Sequence, residues 1–232
     1  MKTNRVDISR EDLIGESLLL SLLGRVLYQY PDGEQRAWFQ SLIDSDAFME
    51  APFAEDHQDV ITGLEFLQAW RKRGLTDETF LDLQEDYSRL FIGPGKVIAP
   101  PWESVFFNES RQTFQEQTLQ VRSWYRRYGV EPEKLFREPD DHIGLEINFL
   151  VHLLGLANQA LDKKDQSEFD TLIDARRLFL SEHPLKWAFS WCSLVIEHAR
   201  TDFYKGMAYL TRGALLAIAQ NYALIVPAEA VH

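Results

Sequence analysis

Residues 138–161, EPDDHIGLEINFLVHLLGLANQAL, contain a long run of helical periodicity. The apolar positions of this run are Ile143, Ile147, Leu150, Leu154 and Leu161. Such spacing places side chains on one face of a helix. Pro139 suits the first helical position, where no amide donor is needed, and Asp140 and Asp141 would then complement the helix dipole. We therefore predict a long helix that begins near Glu138.

Residues 76–94, TDETFLDLQEDYSRLFIGP, show the same periodicity earlier in the chain. Their apolar positions include Phe80, Leu83, Tyr87, Leu90 and Phe91. Thr76, followed by two acidic residues, is typical of a helix start. Gly93 and Pro94 are typical of a helix end, because glycine readily adopts the left-handed conformation and proline cannot continue the helix. This stretch predicts a second amphipathic helix.

The rest of the chain is also helical in its pattern. Further helices are predicted near residues 9–29, 34–45, 57–73, 108–128, 165–181 and 185–199, and a last helix ends before Pro227. No run of alternating β-branched residues bounded by hairpin turns appears. We predict an all-α fold, a single helical-bundle domain over residues 1–232 with roughly nine to eleven helices.

Two segments do not fit a helix. Residues 92–104, IGPGKVIAPPWES, contain three prolines and two glycines, and each proline removes a backbone donor and restricts the residue before it. We predict a structured Pro/Gly-rich loop here. Residues 129–139 form a polar connector that could act as a hinge, so the protein is expected to be a monomer or a dimer that exchanges helices through this connector.

Composition limits the kind of partner. The 232 residues are 45% hydrophobic and carry 36 acidic against 24 basic residues, a net charge of −12. This balance is typical of a globular protein rather than a disordered one. Because nucleic-acid affinity depends on Lys and Arg at the phosphates, we expect no nucleic-acid partner, and a basic partner is more natural.

The sequence favours a cytoplasmic protein. Its start, MKTNRVDISRED, lacks the apolar region of a secretory signal, and its one cysteine, Cys192, can form no internal disulfide. The apolar stretch from Leu13 to Leu27 is interrupted by Glu16 and Arg25, so it predicts a core helix and no membrane span.

Enzyme motifs are incomplete in this chain. The loop around Lys96 hints at a phosphate-binding loop, but Leu90 and Val97 stand where that motif needs glycine and a Mg²⁺-binding hydroxyl. A di-iron bundle needs two Glu-x-x-His pairs, which the sequence does not supply. We predict no enzymatic activity, no cofactor and no metal, while a nucleotide-binding or hydrolytic protein that uses Lys96 stays an alternative.

Several side chains have two interpretations. His142 and Glu146 lie four residues apart on one helix face, where they could bind a cation, hold a metal together with Asp141, or simply form an ion pair. Tyr87, Leu90 and Phe91 could bind a partner, although aromatic residues at a helix end are more often core. Trp102, on a Pro-Pro loop, could contact a peptide or plug the core.

Three motifs together resemble the TorD/DmsD family of redox-enzyme maturation chaperones. They are YSRLFIGP at residues 87–94, PPWES at 100–104 and EPDDHIG at 138–144, and the later EHPL at 182–185 is similar to a further motif of the family. The resemblance implies a cytoplasmic, all-helical protein that binds the twin-arginine signal peptide of a molybdenum-cofactor oxidoreductase of the dimethyl sulfoxide or trimethylamine N-oxide reductase type. Such a chaperone holds the apoenzyme until its cofactor is loaded, before export by the twin-arginine translocation (Tat) machinery.

The resemblance also implies which residues bind the leader. Carried over to this sequence, the peptide-binding positions are Tyr87, Leu90, Phe91, Pro101, Trp102, Asp141 and His142, and we add Glu146 to this set. The leader's arginines would suit Asp140, Asp141 or Glu146. On this hypothesis, alanine at Asp141 and His142 is expected to weaken binding and spare the fold. An adaptor for another cofactor enzyme, or a metal-dependent enzyme, stays an alternative.

Overall fold

A computed structural model describes residues 10–45, 52–53, 57–108, 110, 112–131 and 138–227. Within these ranges the chain forms nine α-helices and no strand. The helices are α1 (Arg10–Tyr28), α2 (Arg36–Asp44), α3 (Gln58–Arg73), α4 (Asp77–Tyr87), α5 (Glu116–Arg127), α6 (Ile143–Asp162), α7 (Gln166–Glu182), α8 (Pro184–His198) and α9 (Asp202–Asn221). The all-α prediction is confirmed.

The predicted start of α4 is correct in detail. The Thr76 hydroxyl accepts a hydrogen bond from the amide of Thr79 at 3.2 Å, and the Thr79 hydroxyl accepts one from the amide of Thr76 at 2.8 Å, which together form a capping box. After Tyr87 the helix widens into one π-helical turn over residues 88–92. This turn ends at Gly93, whose φ of 97° lies in the region that favours glycine.

The predicted start of α6 near Glu138 is wrong. The helix begins at Ile143, and His142 is its N-cap, with Nδ1 accepting a hydrogen bond from the amide of Gly144 at 3.1 Å. The Ile143 amide donates to the carbonyl of Pro101 at 2.8 Å, and the amide of Glu103 donates to the carbonyl of Asp141 at 2.9 Å. Because this pairing needs extended backbone, it holds residues 140–142 outside the helix.

One hydrophobic cluster draws residues from all nine helices of the described ranges. The main helix pairs are α1 with α6, α3 with α9, α6 with α7, and α8 with α9. The pair α1 and α6 approaches closely at Gly144, where a Cβ atom would lie 2.7 Å from the Cβ of Tyr28. This contact places the end of α1 beside the start of α6.

The Pro/Gly-rich loop is structured, as predicted. The amide of Ala99 donates to the carbonyl of Leu90 at 2.9 Å, and the indole of Trp191 donates to the carbonyl of Ala99 at 3.2 Å. Residues 103–106 form a short 3₁₀ helix at its end. Most of the predicted hinge at 129–139 falls on residues 132–137, which lie outside the described residues.

None of the helices in the described parts of the chain is long and apolar enough to cross a membrane.

Candidate functional site

The fold brings two of the sequence motifs into contact. Trp102, from PPWES, and His142, from EPDDHIG, pair as an isolated antiparallel bridge, and their ring centroids lie 6.1 Å apart. The His142 ring also meets the edge of Tyr28, at 5.2 Å. On the other side of Trp102, its indole Nε1 donates to Oε1 of Glu138 at 3.3 Å. An aromatic loop and an acidic segment therefore form one continuous site.

Asp141 is buried beneath this bridge. One carboxylate oxygen, Oδ2, accepts a hydrogen bond from the amide of Ser104 at 2.7 Å, and Oδ1 accepts one from the hydroxyl of Thr118 at 2.7 Å. Its side chain thus ties the Pro/Gly-rich loop to α5.

Both carboxylate oxygens of Asp140 also have hydrogen-bond donors inside the protein. Its carboxylate receives two hydrogen bonds from the guanidinium of Arg122, at 2.6 and 3.3 Å, and its backbone carbonyl accepts one from the hydroxyl of Tyr125 at 3.1 Å. Both aspartates have no exposed surface. The acids of EPDDHIG that the sequence suggested as arginine receptors therefore hold the site together from within.

Glu146 points into the interior rather than toward a ligand. Its Oε2 accepts a hydrogen bond from the indole of Trp187 at 3.1 Å, and its Oε1 is buried without a hydrogen-bond partner among the described residues. Burial raises the pKa of Glu146 well above its ordinary value, and the charges of Glu103 and Asp141 raise it further. The folded protein therefore favours the protonated form of Glu146 more than water does.

Glu103 and His183 complete this buried network. Oε2 of Glu103 lies 2.8 Å from Nδ1 of His183, and both side chains are buried. The network joins PPWES, α6 and the junction of α7 with α8. Both residues lie in motifs identified from the sequence, but neither was assigned a role there. The reason is that 80 positions separate them and no local pattern links them.

Pro101 and Tyr87 are held by backbone contacts. The carbonyl of Pro101 accepts the amide of Ile143, as described above, and its ring is buried. The hydroxyl of Tyr87 lies 3.2 Å from the carbonyl oxygens of both Leu27 and Tyr28, to which it donates. Burial raises the pKa of Tyr87 most, followed by the charge of Glu138 and by Tyr28, so Tyr87 lies within the electrostatic reach of the site.

Leu90 and Phe91 lie deeper than the other predicted residues. Leu90 has no exposed surface and Phe91 has 3%. The Phe91 ring stacks on Trp191 with centroids 5.7 Å apart and contacts Tyr87 at 4.9 Å. Both residues support the site from the core, and their role as leader contacts stays a prediction.

A surface cleft of about 440 Å³ adjoins the site. It is bordered by the π-helical turn, the first part of the Pro/Gly-rich loop and the start of α9, and its lining includes Tyr30, Leu81, Arg89, Lys96, Ile98 and Arg200. The Tyr30 ring contacts the Tyr87 ring with centroids 5.6 Å apart. The cleft therefore lies next to Tyr87, one of the predicted peptide-binding residues.

Glu138 is the carboxylate at this site that sequence reasoning passed over. It is partly exposed, and among the described residues no Lys or Arg side chain pairs with it. Its only sequence signal was its place at the head of EPDDHIG.

A metal centre finds no support in the part of the chain that the structure describes. No grouping of three or more His, Cys, Asp or Glu side chains there is arranged to hold an ion.

The described residues form an all-helical protein in which two of the sequence motifs meet at the Trp102–His142 contact. Residues 52–193 match the model of the nitrate reductase delta subunit family, and the chain belongs to that family.

Named relatives agree with this assignment. The chain is similar to the chaperone protein TorD of Aliivibrio fischeri, with 27% identity over 184 residues that cover 79% of each chain. It is 33% identical over 146 residues to the Tat proofreading chaperone DmsD of Salmonella typhimurium, covering 62% of this chain and 63% of that relative. The probable Tat proofreading chaperone DmsD of Haemophilus influenzae shares 29% identity over 130 residues, which cover 57% of its length. The chain thus spans less than two thirds of these two DmsD relatives, and the resemblance to the TorD/DmsD family is confirmed.

Proposed function

We propose that this protein is a cytoplasmic, system-specific chaperone for a molybdenum-cofactor oxidoreductase of the dimethyl sulfoxide or trimethylamine N-oxide reductase type. It binds the twin-arginine leader of the precursor and holds the apoenzyme until the cofactor is loaded. The precursor is then released to the Tat machinery for export. No bond is made or broken in this cycle, so the protein acts by binding and not as an enzyme.

The contact between Trp102 and His142 carries this proposal. A twin-arginine leader combines two cations with an apolar segment, so its receptor needs a carboxylate beside an aromatic, apolar surface. Trp102 supplies the aromatic surface, and the acidic segment at the start of α6 supplies the negative charge. The names of the relatives, which describe chaperones and Tat proofreading, support the same function.

The apolar part of the leader has a natural place in the adjoining cleft. Leu81 is 52% exposed there, and Tyr30 and Ile98 also line the cleft. Such a segment would cover side chains that water now contacts, which is favourable in proportion to the apolar area buried. In this arrangement the buried Leu90 and Phe91 act from the core and do not contact the peptide.

A co-purification experiment tests the proposed function. The protein, tagged and expressed in its native cytoplasm, is used to capture partners, first with intact precursors and then with the leader deleted or both arginines changed to alanine. We expect recovery of one molybdoenzyme precursor that depends on the leader. Recovery of the same enzyme without its leader would contradict leader binding.

An adaptor for a nitrate reductase is the second candidate. The description of the matching family, nitrate reductase delta subunit, favours it. The same experiment separates the two candidates, because a nitrate reductase subunit recovered without regard to a twin-arginine leader would indicate this adaptor role.

A further inference from the structure

The buried acids leave the leader's arginines without an obvious receptor. Asp140 is neutralised by Arg122, Asp141 is bound by Ser104 and Thr118, and Glu146 is fully buried and bound by Trp187. An incoming guanidinium would have to displace these internal donors and enter a site with no exposed surface. Because breaking such buried pairs is strongly unfavourable, the three acids are poor candidates for direct contact.

Glu138 differs from these acids in each respect. It is partly exposed, and the indole of Trp102 donates to its Oε1 at 3.3 Å. No cation among the described residues pairs with it. A guanidinium could therefore add to this carboxylate without breaking a bond inside the protein.

The surroundings of Glu138 favour arginine over other cations. Its partner Trp102 lies against His142, and His142 lies against Tyr28, so three rings follow one another from the carboxylate. A planar guanidinium can bond to a carboxylate and at the same time lie on an aromatic ring, whereas the compact ammonium of lysine does so less well.

The charge of the buried Asp141 strengthens the attraction of a cation to Glu138. Asp141 has two hydrogen-bond donors but no paired cation among the described residues. Its charge thus adds to the negative potential at the surface, because fields are screened less inside the protein than in water.

We propose that Glu138, positioned by the indole of Trp102, directly receives one of the two leader arginines. This inference rests on the proposed function and adds the residue that determines specificity for arginine at the site. Asp141 acts on the same cation through its field, without touching it.

The test is a double-mutant cycle with a synthetic leader. The probe is a fluorescein-labelled peptide with the leader sequence of the precursor recovered by co-purification, made with both arginines, with citrulline at the first, and with citrulline at the second. Citrulline keeps the shape of arginine and removes its charge. Binding to the wild-type protein and to Glu138→Gln is followed by fluorescence anisotropy.

We expect citrulline at one of the two positions to weaken binding to the wild type about tenfold, as expected for one lost charge-assisted hydrogen bond. The same citrulline should have little further effect on Glu138→Gln, because the charge pair is already absent there. Glutamine retains an oxygen that can accept from Trp102, so the circular dichroism spectrum and melting temperature should not change. Glu131→Gln, which changes an exposed glutamate near the start of the connector, is the matched control and should bind like the wild type.

The possible outcomes distinguish the role of Glu138 from leader binding itself. Equal losses on the wild type and on Glu138→Gln at both positions would overturn the role of Glu138 and leave leader binding intact. Loss of binding in Glu131→Gln as large as in Glu138→Gln would also overturn it, because the effect would then follow net charge. Failure of the wild type to bind the arginine peptide would refute the proposed function itself.

Discussion

Glu103 and Glu146 lie close together inside the protein, where the charge of Glu103 raises the pKa of Glu146. Neither side chain is more than 2% exposed. Two buried carboxylates so close together cannot both be ionised at low cost, so the folded protein favours the protonated form of Glu146.

The raised pKa of Glu146 predicts a pH dependence of stability. Since the pKa of Glu146 is raised above its ordinary value of 4.5 in the folded protein, the folded state keeps a proton that the unfolded state releases above that pH. The stabilisation is complete below 4.5 and is lost as the pH rises toward the folded pKa. Glu146→Gln cannot release a proton, so its melting temperature should rise relative to the wild type as the pH increases above 4.5. Melting temperatures of the two proteins that stay a constant distance apart as the pH increases would contradict the raised pKa of Glu146.

Asp141→Ala should destabilise the fold. The alanine leaves the amide of Ser104 and the hydroxyl of Thr118 without their acceptor, and we expect a loss of about 3 kcal/mol in the free energy of unfolding. This is the opposite of the sparing effect expected from sequence alone. Urea unfolding measures it, with the exposed Glu131→Ala as a control that should change stability by less than about 0.5 kcal/mol. A loss as small as that of the control would mean that Asp141 is free to bind a ligand.

The sequence predicted those parts of the fold that local contacts determine. The start of α4 was readable because Thr76 and Thr79 cap the helix within four residues. The start of α6 was not, since Pro139 and the two acids after it fit the first turn of a helix equally well. The contacts that hold them outside the helix come from Pro101 and Ser104, some 40 residues earlier in the chain, and no local pattern reports such partners.

The candidate site was predicted in part for the same reason. The motifs placed Trp102 and His142 in the right set, and the fold brings them together. Charge alone could not show which acid is accessible to a leader arginine, because an exposed carboxylate and a buried one look identical in sequence. The distinction between Asp141 and Glu138 depends on burial and on donors from other helices.

Asp86 fixes the start of α9 to α4. Its Oδ2 accepts hydrogen bonds from the amides of Arg200 and Thr201 at 2.9 and 2.8 Å, and its Oδ1 accepts one from Arg89 at 2.7 Å. We expect Asp86→Ala to cost about 3–5 kcal/mol, as is typical when one partner of a buried charged network is removed. Calorimetry of this variant, with the exposed Asp82→Ala on the same helix as control, measures the loss. Faster amide exchange in the first turn of α9 should accompany it, and unchanged exchange there would argue against the capping role.

Two glycines of α6 should respond to alanine in opposite directions. At Gly144 a Cβ atom would lie 2.7 Å from the Cβ of Tyr28 and 2.8 Å from the carbonyl oxygen of Gly24, whereas at Gly155 nothing lies within 4 Å. Alanine is better than glycine in a helix by about 0.5–1 kcal/mol, so Gly155→Ala should stabilise the protein by that amount. Gly144→Ala has the same helical gain, but it must push α1 away from α6, and overpacking of this kind costs about 1–3 kcal/mol. Because α1 carries Tyr28, the shift also moves one wall of the Trp102–His142 site. Leader affinity should therefore decrease together with stability in Gly144→Ala, and it should not decrease in Gly155→Ala. Equal changes in the melting temperatures of the two variants would show that α1 and α6 do not approach as closely as the structure places them.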